Sequence, residues 1–448
     1  MKVEIIETPT LGNRGYLIHD GKHAVAVDVQ RDYNRWLSAA DNANVTITHV
    51  FETHMHNDYV TGGYKMSQEI NADYIVPENS GQQFEAVIAK DQDTFTIGNI
   101  IVTALHTPGH TPHHMSYAVS DGQKSIVCTG GGLLYGTVGR TDLISESQTK
   151  QLTADQFESA HKLTETLPGA TEVYPTHGFG SFCSSSDGSG ATASTLESEA
   201  QLNVALTHDK ETFIDIIIRG LGPYPRYYAH MGTANQAGPG ATSQLHIHDY
   251  APEDIAKALK GDNSWVVDVR SRKAFALEHP DAAVGIELGN SFATYTGWLL
   301  PWSDDITLVG DTEEDIMNAH IELSRIGMDA FVSGATHSLE PYFAAAPSRS
   351  YQRQTFLDLQ KALVGELLVL DVRLPSDWDD AHVANSVNIP LHELMTQMEK
   401  LPKDKAIWVH CASGYRASIA ASLIDRSGRT PVLVDDTFEH AIELGLAS

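Results

Sequence analysis

Apolar and polar positions along the chain follow two rhythms. Alternation over Val3 to Glu7, Gly15 to His19 and Ala24 to Val29 predicts short strands separated by Gly and Asn turns. Asp32 to Asp41 has helical spacing, and Val45, Ile47, Val50 and Phe51 predict a buried strand that stops at Thr53. A helix near 62–70, a strand at 74–76 and a strand pair over 93–106 follow, then a strand around Ser125 to Cys128 and a helix around 195–206.

Further on, strands alternate with helices, and the pattern repeats. Trp265-Val266-Val267-Asp268-Val269-Arg270 echoes Leu368-Val369-Leu370-Asp371-Val372-Arg373. His279 before Ala282-Ala283-Val284 echoes His382 before Asn385-Ser386-Val387-Asn388-Ile389-Pro390. Each copy then runs from strand through loop to helix, at 306–309 into 315–326 and at 407–410 into 417–425. Such units imply two small α/β domains with parallel sheets. The expected divisions are 1–240, 245–345 and 350–448, with a Ser/Gly-rich stretch at 184–194 and a joint at Pro239 to Gln244. His246 and His248 read as a polar linker.

Charge narrows the partners. With 30 Lys and Arg against 58 Asp and Glu, the net charge is −28, and no basic cluster offers a face to nucleic acid. No apolar run is long enough to cross a membrane, and the acidic start Met1 to Glu7 does not read as a signal peptide. The three cysteines, Cys128, Cys183 and Cys411, are too scattered for a disulfide framework, which fits a reducing, cytoplasmic setting.

Chemistry gathers in four loops. His54-Met55-His56-Asn57-Asp58 follows the strand that stops at Thr53, where side chains two apart point the same way. Two imidazoles there can converge on a metal, with a carboxylate behind them. Thr107-Pro108-Gly109-His110-Thr111 is a tight turn that raises a third imidazole at a strand end. Tyr174-Pro175-Thr176-His177-Gly178-Phe179-Gly180-Ser181-Phe182-Cys183 adds another histidine and a glycine-rich backbone able to meet an anion. His410-Cys411-Ala412-Ser413-Gly414-Tyr415-Arg416 sets a cysteine between a buried strand and a helix N-terminus. Loop N–H groups and Arg416 favour negative charge on that sulfur and its substrates, so Cys411 reads as a nucleophile. In the first copy Gly310 stands at the cysteine position and Asp315 at the arginine position, so that copy reads as structural or docking.

The first half resembles the metallo-β-lactamase fold, an αββα sandwich with a metal site at its strand ends. Residues 107–117 and Gly139-Arg140-Thr141-Asp142-Leu143 resemble the persulfide dioxygenase branch, and both later copies resemble rhodanese domains. The whole chain is thus similar to bacterial persulfide dioxygenase–sulfurtransferase fusions of sulfide detoxification. The resemblance implies mononuclear non-haem iron (Fe2+) on His54, His110 and an aspartate. It also implies oxidation of glutathione or coenzyme A persulfide to sulfite, and thiosulfate formed through Cys411 and Arg416. Asp58, His177, Gly180, Ser181, Cys183 and Arg140 would stand behind the metal or against the substrate. A homo-oligomer is expected.

The aspartate is missing. Thr129-Gly130-Gly131-Gly132 puts Gly131 where that carboxylate belongs. Two outcomes stay open: His56 completes a three-histidine site, or the metal is weak or absent and the chain acts as a sulfurtransferase alone. Tyr59 stands where dinuclear relatives carry a histidine, which argues against a two-zinc hydrolase of thioesters or lactams.

Overall fold

The computed structural model describes residues 1–185, 188–245 and 252–447. The His246 and His248 linker lies outside the described residues, as do Ser186 and Asp187 of the Ser/Gly-rich stretch. The chain forms two compact units, residues 1–243 with 323–327 and residues 244–322 with 328–448.

In the first unit the alternating segments build two six-stranded sheets. One runs in chain order through Lys2–Thr8, Asn13–His19, His23–Val27, Thr46–Phe51, Asp73–Pro77 and Val87–Ala89. The other is ordered Ser194–Thr195, Glu172–Pro175, Ser125–Gly130, Met115–Ser120, Ile100–His106 and Thr94–Ile97. Because successive strand residues face opposite sides, each sheet has two jobs. Tyr16, Ile18, Val25, Val27 and Phe51 pack with Val102, Tyr117, Val119 and Ile126 in the middle of the sandwich. Their neighbours Leu17, Ala24, Ala26 and Val50 face the other way, onto Trp36 and Met66 of the helices Asn34–Ala43 and Gly63–Ile70. On the far side Leu105, Ala118 and Val127 meet Ala160 and Leu163 of the helix Glu146–Thr166, and Phe213 and Ile217 of Lys210–Gly220. These are the four layers of an αββα sandwich.

The predicted elements from Val3 to Ile70 appear within a few residues. The expected helix over 195–206 is broken instead. It divides into Leu196–Leu202 and Val204–Thr207, because the Asn203 amide turns inward to the carbonyls of Leu134 (2.9 Å) and Thr137 (2.8 Å) while its oxygen caps the Ala205 N–H.

The second unit holds two parallel sheets of like order. The first copy reads Val284–Gly285, Ser264–Asp268, Asp305–Val309, Val332–Thr336. The second reads Val387–Asn388, Leu367–Asp371, Ala406–His410, Thr430–Val434, with Gln352–Gln354 added at its edge. The repeated sequence marks are structural in both. Arg270 binds Asp268 (2.7 Å) and the Glu278 carbonyl (2.9 Å), and Arg373 binds Asp371 (2.7 Å) and the Ala381 carbonyl (2.7 Å). His279 stacks on Phe275 and His382 on Trp378, each at 4.0 Å between ring centres. Within the described residues, no helix is long and apolar enough to cross a membrane.

Candidate functional site

Strand ends at one edge of the first unit bring five histidines together. Thr46–Phe51 delivers His54 and His56, Ile100–His106 delivers His110 and His114, and Glu172–Pro175 delivers His177; all five are buried. What each can do follows from where its ring protons go, since a ring nitrogen that donates leaves the other as a lone pair.

The Thr53 hydroxyl donates to Asp28 (2.8 Å), so its oxygen is left to accept from His54 Nδ1 (2.9 Å). His110 Nδ1 donates to the Arg140 carbonyl (2.7 Å), which can only accept. His177 Nδ1 donates to the Asn13 amide oxygen (3.0 Å) and lies 3.2 Å from Asp58. Asn13 is held in that orientation by its own N–H bond to Asp58 (2.8 Å). All three rings therefore present Nε2 lone pairs. His54 Nε2 and His177 Nε2 are 3.4 Å apart, and His110 Nε2 is buried with no hydrogen-bond partner. One donor atom from each of the three lies within 4.8 Å of the others, the spread of a metal's ligands. Burial, followed by the neighbouring imidazoles, pushes His54 well below the usual histidine range. Burial and then His177 push His110 down to about 3. Both stay neutral, as ligands must. An orphaned buried nitrogen and three inward lone pairs fit a metal ion.

The other two rings are engaged differently. His114 Nε2 accepts from the Gly131 N–H (3.1 Å). His56 Nε2 lies 3.2 Å from both Asp28 and Glu52. Burial alone would lower its pKa, but Asp28 and then Glu52 outweigh that and push it up to about 10. Its ring also stacks on Tyr59 at 4.2 Å. The sequence reading gave His56 a ligand's role and His177 the pocket wall; the structure groups His177 with His54 and His110, and sets His56 in two further groups of donors, with Asp58 and His177 and with Asp28 and Glu52.

Gly131 explains part of this. A Cβ there would come within 2.6 Å of His110 Cγ, so the imidazole occupies the space an aspartate side chain would enter.

The remaining expected residues are placed as follows. Asp58 backs His177, and Ser181 Oγ reaches toward it at 3.5 Å. Gly180 has φ +95° and open space beside it. Cys183 is buried with its sulfur 3.8 Å from the Tyr228 hydroxyl, and burial raises its pKa well above the usual thiol value. The Arg140 guanidinium binds Asp142 (2.7 Å), the Phe182 carbonyl (3.1 Å) and the Gly222 carbonyl (2.8 Å), tying loops together rather than facing the histidines. Sequence reasoning missed Asp28, Asn13, Thr53 and Asn235. Asn235 holds the His-x-His loop by the carbonyls of His56 and Tyr59, both at 2.9 Å. Apart from Thr53, which neighbours His54, they bind partners remote in sequence, so no local pattern marks them.

In the second unit Cys411 is buried, and its sulfur accepts from the Ala417 N–H (3.4 Å) at the start of the helix Tyr415–Arg426. Arg416 makes one long contact with Asp377 (3.5 Å). In the first copy a Cβ on Gly310 would already sit 3.2 Å from Ile316 and Val269, so apolar side chains crowd the position that Cys411 holds.

The model of the metallo-β-lactamase superfamily matches residues 16–206, and that of the rhodanese-like domain matches residues 355–439. The mitochondrial persulfide dioxygenases ETHE1 of Mus musculus and Homo sapiens are each 30% identical over 206 residues, 45% of this chain and 74% of theirs. The chain belongs to the persulfide dioxygenase family. Within the metallo-β-lactamase superfamily this persulfide dioxygenase half is fused to a rhodanese-like domain. A hydroxyacylglutathione hydrolase of Rhizobium johnstonii is 29% identical over 37% of this chain and 62% of its own. Among solved structures, a metallo-β-lactamase from Staphylococcus aureus matches with a TM-score of 0.66 and 28% identity, over 75% of this chain and 98% of that one.

Proposed function

We propose that the chain oxidises a low-molecular-weight persulfide, of glutathione, coenzyme A or a similar thiol, to sulfite in its first domain. Its last domain then passes sulfane sulfur through Cys411 to give thiosulfate. The divisions that carry this are 1–240, a cysteine-less 245–345, and 350–448. The observation behind the reading is the convergence of three imidazoles on Nε2, each with its other nitrogen engaged. His54, His110 and His177 would hold iron, which supplies the open positions that dioxygen and a sulfur anion require. The chain's own groups do the rest. Asn13 with Asp58, the Arg140 carbonyl and the Thr53 hydroxyl fix the three rings.

At the second site the Cys411 sulfur attacks the outer sulfur of a persulfide. The S–S bond breaks, the thiolate of the carrier leaves, and Cys411 becomes a persulfide. Sulfite then attacks the outer sulfur, thiosulfate departs, and the Cys411 sulfur is restored. Arg416 holds the oxyanion.

The test is metal content and O₂ uptake on glutathione persulfide for the wild type, His177→Ala and Cys411→Ser. Near-stoichiometric iron is expected in the wild type, falling by about tenfold or more in His177→Ala. O₂ uptake should survive in Cys411→Ser while thiosulfate formation stops. Iron retained in full by His177→Ala would overturn the ligand set. An iron-free wild type with intact Cys411 chemistry would leave a sulfurtransferase alone, the reading that the absent carboxylate at Gly131 favours.

A further inference from the structure

One short segment breaks the order of the chain. Residues 323–327 belong to the first compact unit, although the sequence on either side, to Glu322 and from Met328, belongs to the second. They close the helix Glu313–Arg325, which ends as Gly327 takes a left-handed turn (φ +73°). The last carbonyls of a helix have no partner within it and carry its negative end. Here the Arg325 carbonyl accepts from the Val60 N–H (2.7 Å). The Arg325 guanidinium donates to Asp32 (2.7 Å) and to the Thr10 hydroxyl (3.1 Å), and Arg35 holds the same carboxylate at 2.7 Å. Burial alone would raise the Asp32 pKa, but Arg325 and then Arg35 outweigh it and hold the carboxyl below its ordinary value.

Val60 is buried and stands two residues past Asp58, so without the Arg325 carbonyl its N–H would be an unpaired donor away from water. The groups beside it are spent in the same way. Asn235 donates to the Tyr59 carbonyl (2.9 Å) and accepts from the Thr61 N–H (2.9 Å), and the Gly62 N–H reaches the Val29 carbonyl (2.9 Å). Every backbone N–H from Val60 to Gly62 is thus held by a segment remote in sequence. This end of the loop sets Tyr59, whose ring stacks on His56 at 4.2 Å, and Asp58, which lies 3.2 Å from His177 Nδ1. Resting on the His54, His110 and His177 ligand reading above, we propose that Arg325 is a positioning residue of the metal site. Its carbonyl fixes the loop that brings Asp58 to His177, and its ion pair with Asp32 holds that carbonyl in place.

Arg325→Met removes the ion pair at similar length, and Arg325→Lys keeps the charge. In the full chain, hydrogen exchange read by mass spectrometry over 57–62 should quicken about tenfold in Arg325→Met. Peptides covering the strands Asp305–Val309 and Val332–Thr336 should keep their wild-type rates. Fe2+ titrated into the metal-free protein should bind Arg325→Met about threefold to tenfold more weakly, and Arg325→Lys should recover most of both losses. Asp32→Asn weakens the same pair from the other side with no change of shape, and should give the same two shifts in smaller measure. Unchanged exchange over 57–62 overturns Arg325 as the anchor of the loop. Quickened exchange there, with Fe2+ affinity within about twofold of wild type, overturns the positioning role. Exchange quickened evenly over the whole chain in Arg325→Met and Asp32→Asn alike overturns it too. Iron retained in full by His177→Ala would sink the ligand reading instead, and the exchange rates over 57–62 still decide whether Arg325 anchors the loop.

Discussion

At the residue scale, ligand identity is decided by protons rather than by motif position. His54 and His56 have the spacing of a ligand pair, yet their surroundings differ: His54 Nδ1 meets the Thr53 hydroxyl, while His56 lies against two carboxylates that raise its pKa to about 10. His177 turns Nε2 inward because the Asn13 amide oxygen accepts from its Nδ1–H, with Asp58 close behind. Gly131 makes a sharp test of this arrangement. Gly131→Ala places a methyl group in the space of the His110 ring, so the ring must swing away from the Arg140 carbonyl that fixes it. The expected result is a stability loss of about 1–3 kcal/mol and metal occupancy reduced several-fold, read by melting and elemental analysis. Wild-type metal content in Gly131→Ala would mean that His110 does not bind in the orientation seen. Much of this site was legible from sequence, since His54, His110, Asp58 and His177 stand in recognisable loops. The choice between His56 and His177 was not. It depends on Asp28, Glu52 and Asn13, and only the folded chain brings Asp28 and Asn13 beside those rings.

At the scale of elements, one feature recurs in the first unit: a strand ends, and the loop after it carries a site residue. That rule made the strands before His54 and His110 readable, because alternation stops where the polar residues begin. The long helix Glu146–Thr166 left no comparable mark, although its Ser159 hydroxyl donates to the Pro108 carbonyl of the His110 turn (2.7 Å). Gly109 in that turn has φ +151°, and a Cβ there would come within 2.6 Å of Gln156 on this helix. Gly109→Ala should therefore cost about 1–3 kcal/mol and tilt His110, lowering metal affinity along with the melting temperature. If stability falls while metal affinity stays at the wild-type value, the turn packs the helix but does not aim the imidazole. In the second unit the echoing Asp-Val-Arg and His segments gave the repeat away, and the structure shows why they recur. They anchor the corner after a strand in both copies, and so survive in the copy that lacks a nucleophile.

For the whole molecule, every donor of the metal cluster belongs to the first unit, and Cys411 and Arg416 belong to the second. The two chemistries should then be separable by reagents that touch one site each. Dialysis against a strong iron chelator should abolish O₂ uptake on glutathione persulfide, while thiosulfate–cyanide sulfur transfer stays within about twofold. Loss of a ligand that binds only the folded state removes stability from that unit alone. Calorimetry should show one transition moving down and another standing still. Alkylation of Cys411 should do the converse for activity, stopping transfer while sulfite accumulates from persulfide and O₂. The informative comparison is thiosulfate yield from persulfide alone. Untreated enzyme should form thiosulfate, alkylated enzyme sulfite, and chelated enzyme neither. If chelation also stopped transfer from thiosulfate to cyanide, Cys411 would depend on the histidine site, and the division of labour argued from residue placement would be wrong.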